Sequence, residues 1–380
     1  MRVLFWSEAF LPQIGGIEVL AAKLLPALQA RGHEFIVVTA LTSPDQPAQD
    51  EHQGIPVHRI PFALGHKNIE QLTKIRQRLI KLQRTFAPDL VHVNFAGVIG
   101  LFLLTATASL SALPWLFTVH DERLRDDQPD LPVGADTLIG RALRSAKWIS
   151  CVSAAVRAEI CRQLPEVTSR SSTIHNGLDT PPLIPAPLSL YTPRLLCLGR
   201  LVARKGFDVA LSAFAAIVRR FPQARMIIAG DGPARPVLED QVVRLGLTDV
   251  VEFIGWVAPE NVPALINTAT IVVMPSRLEP FGLVALEAAQ MARPIVATRV
   301  GGLSEVVEQG QTGFLVDNEN VNQVAEAIAT LLERPELAIR MGQAAHQRAL
   351  ERFGWDRCVD AYDTLYRKLV TEAQHQPVVI

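Results

Sequence analysis

Short apolar runs, rich in β-branched residues, alternate along this chain with longer stretches whose apolar positions return every three or four residues. The first run, Arg2-Val-Leu-Phe-Trp6, leads through a loop ending at Gly15-Gly16 into Glu18–Ala30, which has helical periodicity. Gly32 closes that helix, and Glu34–Thr39 resumes as a strand. The cadence continues through Leu90–Val93, Trp115–Val119 and Trp148–Val152. It restarts at Leu195–Leu198 and passes through Met226–Ala229, Val251–Ile254, Ile271–Met274 and Pro294–Ala297. Apolar strands alternating with helices form parallel sheets covered on both faces. Between the two blocks lies Pro181-Pro-Leu-Ile-Pro-Ala-Pro187, a proline-rich passage of linker character. The pattern predicts an α/β protein of two doubly wound domains, 1–180 and 193–355, joined by a linker at 181–192.

Composition narrows the possible functions. The 380 residues carry a formal charge of −1 and are nearly half apolar, which describes a globular chain with ample core and no electrostatic case for nucleic acid. Four cysteines without C-x-x-C spacing give no disulfide framework, and a reducing, cytoplasmic setting fits. The uncharged stretch from Ala96 to Val119 is long enough for a bilayer. Pro114 divides it, however, into a helix-like piece and a short strand, which favours a helix packed between protein layers.

In open parallel sheets ligands bind beyond the carboxyl ends of the strands, where helix N-termini present free amides. Two loops in the second block fit that rule. Gly199-Arg200-Leu-Val-Ala-Arg204-Lys205-Gly206 sets cations at a strand-to-helix turn, where they are unfavourable unless an anion such as phosphate pairs with them. Arg277-Leu-Glu279-Pro-Phe-Gly-Leu-Val-Ala-Leu-Glu287 follows the strand Ile271–Met274. Its Pro280 suits a first helical turn starting near Phe281-Gly282, so the amides of Phe281, Gly282 and Leu283 would face an anion. Glu279 would then lie in the loop, with Glu287 about one and a half turns on. Read singly, each loop is equally a solvated charged turn; together they favour a phosphate-bearing ligand. Gly230-Asp-Gly-Pro233 is a third tight turn. In the first block Gly15-Gly16 opens a helix, and His120 ends the strand Trp115–Val119. There is no D-x-D pair, H-E-x-x-H, Cys/His cluster or G-x-x-x-x-G-K-[ST] loop, so neither a metal nor a cofactor is expected.

The E-x7-E element Glu279–Glu287, the loop Gly199–Gly206, GDGP at 230–233, Gly15-Gly16 and His120-Asp121 occur in the order found in retaining glycosyltransferases of family four, which the whole chain resembles. The resemblance implies the GT-B fold, two Rossmann-like domains facing each other across a cleft, with a final helix (356–380) crossing back onto the first. It implies an acceptor-binding first domain and a donor-binding second. Arg200 and Lys205 would neutralise the diphosphate of a UDP- or GDP-sugar, while Glu279 and the backbone of Phe281–Leu283 hold the sugar. Glu287 would take the ribose, and Gly15, Gly16, Gly199 and Gly230 would let backbone approach the donor. His120 would approach the sugar from the first domain. The activity so implied is metal-independent hexosyl transfer, with retention, to a hydroxyl of a sugar, glycolipid or small molecule. A nucleotide-sugar epimerase or hydrolase of the same fold, or a non-catalytic nucleotide-sugar binder, are the alternatives.

One surface feature stands outside that scheme. The helix predicted over 68–86 has an apolar stripe at Ile69, Leu72, Ile75, Leu79, Leu82 and Phe86, and its other faces carry Lys74, Arg76, Arg78, Lys81 and Arg84, with Lys67 just before it. Such a helix packs its stripe on a sheet and leaves a solvated basic face, or rests peripherally on an anionic membrane.

Overall fold

The computed structural model describes residues 1–62, 69–121 and 137–374. They form two compact units, one drawn from residues 1–175 and 358–374 and one of residues 176–357. Each is a sheet between helices.

The first sheet contains β1 (Arg2–Ser7), β2 (Glu34–Ala40), β3 (Gln49–His52), β4 (Ile55–Ile60), β5 (Leu90–Phe95), β6 (Trp115–Val119), β7 (Trp148–Cys151) and β8 (Ser171–Thr173). Their spatial order is β3-β4-β2-β1-β5-β6-β7-β8. All neighbours pair in parallel except β3 and β4, a hairpin at the edge that hydrophobic patterning did not reveal. Its first strand, Gln49–His52, is wholly polar and largely exposed, so it has no apolar alternation to read. The uncharged stretch before Trp115 contains a helix, Val98–Ala106, and then a short one, Ala108–Ser111, ended ahead of Pro114. Among the described residues no helix is long and apolar enough to cross a membrane.

The second sheet contains β9 (Arg194–Leu198), β10 (Arg225–Ala229), β11 (Val251–Gly255), β12 (Ile271–Met274), β13 (Ile295–Thr298) and β14 (Gly313–Val316), ordered β11-β10-β9-β12-β13-β14 and parallel throughout. Strand order reverses between β9 and β12 here and between β1 and β5 in the first sheet, the positions at which open parallel sheets take ligands.

The proline-rich passage lies within the second unit. Its backbone is bonded to the second unit, in which Asn267 Oδ1 accepts from Ala186 N at 2.8 Å and Thr270 Oγ1 donates to the Ser189 carbonyl at 2.8 Å. The buried Arg293 guanidinium donates to the carbonyls of Ala186 and Ala269. Proline rings remove donors, but they leave carbonyls that a buried arginine can collect.

The final helix, Trp355–Gln374, packs largely on the first sheet through a buried polar network. His92 Nδ1 meets the Tyr366 hydroxyl at 2.5 Å, and its Nε2 meets Thr118 Oγ1 at 2.7 Å. Thr118 also contacts Ser150 Oγ at 2.7 Å. Nearer the edge, His33 Nε2 lies 2.6 Å from Asp363 Oδ1, and Lys368 Nζ sits 4.0 Å over the Trp148 ring. Desolvation lowers the His92 pKa to about 3, so its ring is neutral and its two nitrogens need one donor and one acceptor. Positions 375–380 lie outside the described residues.

The basic helix is observed over Ile69–Phe86; positions 67 and 68 lie outside the described residues. Ile75 and Leu79 are buried, Leu72, Leu82 and Phe86 are half-buried, and Ile69 is exposed. Most of the stripe therefore packs on the protein.

Tyr366→Phe leaves one His92 nitrogen without its partner in the core and is expected to cost about 1–3 kcal/mol, read as a lower urea midpoint. Lowering the pH from about 6.5 toward 3 weakens the wild-type fold, because the unfolded chain charges an imidazole that the folded chain keeps neutral at His92.

Candidate functional site

The switch point of the second sheet brings the two charged loops together. After β9 the chain turns through Gly199 and Arg200 into a single 3₁₀ turn, Ala203–Lys205, and then the helix Phe207–Ile217. After β12 it runs through residues 275–282 into the helix Leu283–Gln290. Lys205 Nζ lies 2.5 Å from Glu279 Oε2, with the two side chains 18% and 9% exposed. Ser276 Oγ approaches the same carboxylate oxygen at 3.4 Å, and Thr298 Oγ1 donates to the Ser276 carbonyl at 2.5 Å. Arg200 is exposed, and its guanidinium has no hydrogen-bond or ion-pair partner among the described residues. Glu287 stands half-buried on the following helix.

Arg277, which opens the acidic loop, clamps the two loops together. Its guanidinium grips Asp208 in a bidentate pair at 2.8 and 2.7 Å, donates to the Ala203 carbonyl at 2.6 Å and pairs with Glu319. Its backbone amide donates to the Arg204 carbonyl at 2.8 Å. Burial would push Asp208 up, but the Arg277 hydrogen bonds and charge overrule it and hold Asp208 below its usual value. The same bonds to Asp208, then those to Glu319, raise the pKa of Arg277, so it stays a cation at any working pH.

Glycines allow the loops to approach. A Cβ on Gly230 would meet the Gly199 carbonyl oxygen at 1.9 Å, so this glycine packs the third loop against the first. A Cβ on Gly301 would meet the Glu279 carbonyl oxygen at 2.1 Å. Gly302 N donates to that carbonyl at 3.0 Å. The loop after β13 thereby buttresses the Glu279 backbone.

That buttress changes the expected helix start. The helix begins at Leu283, and Gly282, with φ of 97°, is its N-cap. Pro280 and Phe281 precede it in the loop, held by the Gly301-Gly302 contact, so Pro280 is not in the first helical turn. The Phe281 side chain is buried against the Phe353 ring at 5.9 Å, which makes it an anchor for the loop.

In the first unit, Gly16 begins the helix Gly16–Gln29 and Gly15 is its N-cap. The Glu18 carboxylate folds back to where a Gly15 Cβ would be, 2.5 Å from Oε2, and desolvation raises its pKa. This helix entry thus holds the chain's own carboxylate, a feature that glycine spacing did not reveal. His120 follows β6, and its Nε2 is 2.8 Å from Asn94 Oδ1. Burial pushes His120 down to about 4, so it is neutral at pH 7. Among the described residues no three His, Cys, Asp or Glu side chains gather as metal ligands.

Sequence reading missed Asp208, Arg277, Ser276, Gly301-Gly302 and Asn94. Gly301-Gly302 carried a usable signal, since it follows an apolar strand as the other loops do. Asp208 and Arg277 carried none, because their pairing spans 69 residues.

With this geometry established, comparison with known proteins places the chain. A family model described as glycosyl transferases group 1 matches residues 188–348, and one described as glycosyltransferase family 4 matches residues 14–182. The chain is 36% identical over 377 residues to a GDP-mannose-dependent alpha-(1-6)-phosphatidylinositol monomannoside mannosyltransferase of Mycobacterium tuberculosis, covering 93% of this chain and 95% of that one. In structure it is similar to sucrose-phosphate synthase of Thermosynechococcus elongatus, with a TM-score of 0.81 and 24% identity over 98% of this chain and 99% of that one. It is likewise similar to Anabaena HepE, solved with UDP and glucose, with a TM-score of 0.79 and 22% identity over 97% and 99% of the two chains. The two structural likenesses establish the fold.

Gly301→Ala is expected to destabilise by about 1–3 kcal/mol through overpacking on backbone that cannot yield. Gly310 also has positive φ, but a Cβ there would have nothing within 4 Å, so Gly310→Ala isolates the backbone term. The thermal midpoint should fall further for Gly301→Ala than for Gly310→Ala; equal losses would refute the buttress.

Proposed function

The chain belongs to the group 1 glycosyltransferases, enzymes of the GT-B fold, and we propose that it transfers a hexosyl unit from a UDP- or GDP-sugar to an acceptor hydroxyl with retention and without a metal. The observation that carries this reading is the Lys205–Glu279 pair at the switch point between β9 and β12, with Arg200 exposed on the first of the two loops. A sugar leaving a diphosphate gains oxocarbenium character while negative charge builds on the departing oxygens. Lys205 and Arg200 are assigned to that charge, in the way positioned donors stabilise developing anions elsewhere. Glu279, held by Ser276 and Lys205, is assigned to the sugar hydroxyls with the backbone of Phe281, Gly282 and Leu283, and Glu287 to the ribose. Gly199 and Gly230 keep the loops beneath the donor close-packed. Gly15 and Gly16 are assigned to the phosphates, which requires Glu18 to swing away. His120 is assigned a hydrogen bond to a substrate hydroxyl.

In the reaction so proposed, the bond from C1 to the diphosphate oxygen breaks and the acceptor oxygen bonds C1 from the same face. The acceptor proton passes to the departing phosphate. Glu279 is already bound by Lys205 and Ser276, which supports a role in gripping substrate over one as covalent nucleophile. Protein cations take the part a metal would otherwise play. Four free cysteines support a reducing compartment. The acceptor is proposed as a sugar, glycolipid or small molecule, and the cations Lys74, Arg76, Lys81 and Arg84 leave scope for peripheral contact with anionic lipid.

Thermal-shift measurements against a panel of UDP- and GDP-sugars identify the donor, and nucleotide release that requires an acceptor separates transfer from hydrolysis or epimerisation. Lys205→Ala is expected to lower kcat by roughly 10²–10³-fold, the loss seen when one donor to a developing anion is removed. Unchanged turnover would refute the phosphate assignment. Co-sedimentation with anionic liposomes tests the lipid contact, and no binding at low salt removes it.

A further inference from the structure

We propose that Asn94 is a positioning residue that, together with Ser7, fixes His120 as the Nε2-protonated tautomer, leaving Nδ1 to accept a hydrogen bond from a substrate hydroxyl. The tautomer stands on the geometry of the first unit alone; the hydroxyl rests on the transferase reading.

Hydrogen-bond polarity carries the argument. Ser7 Oγ lies 2.7 Å from the Ala9 carbonyl oxygen, which can only accept, so the one hydroxyl proton goes there. Ser7 Oγ must then accept, and it does so from Asn94 Nδ2 at 3.2 Å. That fixes the amide orientation and turns Asn94 Oδ1 toward His120 Nε2 at 2.8 Å. Oδ1 carries no proton, so Nε2 does. Ser7 and Asn94 are 0% and 5% exposed, and the three residues stand at or beyond the carboxyl ends of β1, β5 and β6, which are neighbours in the sheet. Water has little access to scramble the chain of bonds.

His120 is kept neutral by burial, so its second nitrogen holds a lone pair. Nδ1 has no hydrogen-bond partner among the described residues. Among the described residues the titratable groups beside it are His92, two positions before Asn94 on β5 and itself neutral, and Asp121 next in the chain. A backbone carbonyl at residue 9 thus sets, through two side chains, what a histidine more than a hundred residues away offers to a ligand. The consequence for substrate choice is definite: Nδ1 selects a group that donates. A hydroxyl qualifies, whereas fluorine or hydrogen in its place does not.

The test uses the full chain with labelled histidine, His120 being assigned by comparison with His120→Ala. NMR of the free protein at pH 7 should show Nε2 protonated and Nδ1 bare. In Asn94→Asp the added carboxylate favours imidazolium and should raise the His120 pKa by roughly one unit or more. A protonated Nδ1 in the wild type, or an unmoved titration in Asn94→Asp, overturns the tautomer. UDP-glucose and GDP-mannose, each with its deoxy and deoxyfluoro analogues, test the hydroxyl. At one position both replacements should lower kcat/KM by roughly tenfold or more, and His120→Ala should remove most of that difference. A fluoro analogue that performs like its parent at every position overturns the acceptor role of Nδ1. Acceptor-dependent nucleotide release judges the transferase reading separately.

Discussion

A lysine and a carboxylate largely withdrawn from water, where strand order reverses in the second sheet, set the terms for the surrounding loops. Such a pair contributes little to stability, since removing two charges from solvent offsets most of their attraction, and apolar residues of the same size often do as well. Lys205 and Glu279 nevertheless have a supporting frame. Arg277 ties one loop to the other, Ser276 bonds the carboxylate, and Gly301 and Gly302 seat the Glu279 backbone. A frame that costs so much close packing is understandable if the charges serve a ligand, which is the sense of the proposed function.

The first unit shows a different solution to a similar problem. Its sheet buries a hydroxyl–imidazole network in which His92, Thr118 and Ser150 are each bonded to a neighbour on the next strand or on the final helix. Full satisfaction makes a polar core tolerable, and it also makes the core directional, because each proton has one place to go. The Ser7–Asn94–His120 series applies that directionality at the carboxyl ends of three neighbouring strands.

Much of the architecture was legible from patterning. β1, β2, β5, β6, β7, β9, β10, β11, β12 and β13 were all visible as apolar runs, because strands buried in a sheet between helices have little polar content to obscure them. β3 was invisible because it is a polar edge strand, and β8, Ser171–Thr173, was too short and too hydroxylated to stand out. The bonds that hold the proline-rich passage to the second unit were not legible, since composition reports missing donors and says nothing of a buried arginine that collects carbonyls.

What the sequence determined by itself was the family, the alternation of strand and helix, and the placement of Arg200, Lys205, Glu279 and His120 in strand-end loops with Glu287 on the helix that follows, because strand-end position and charge type are local properties. Tertiary structure alone decided which of these meet. The pairing of Lys205 with Glu279 spans 74 positions, Arg277 acquires its purpose through Asp208, Glu319 and the Ala203 carbonyl, and the helix starts at Leu283 behind a loop on which the glycine pair after β13 packs. Hydrogen-bond direction and steric contact depend on atoms brought together by folding, and no local pattern along the chain encodes them.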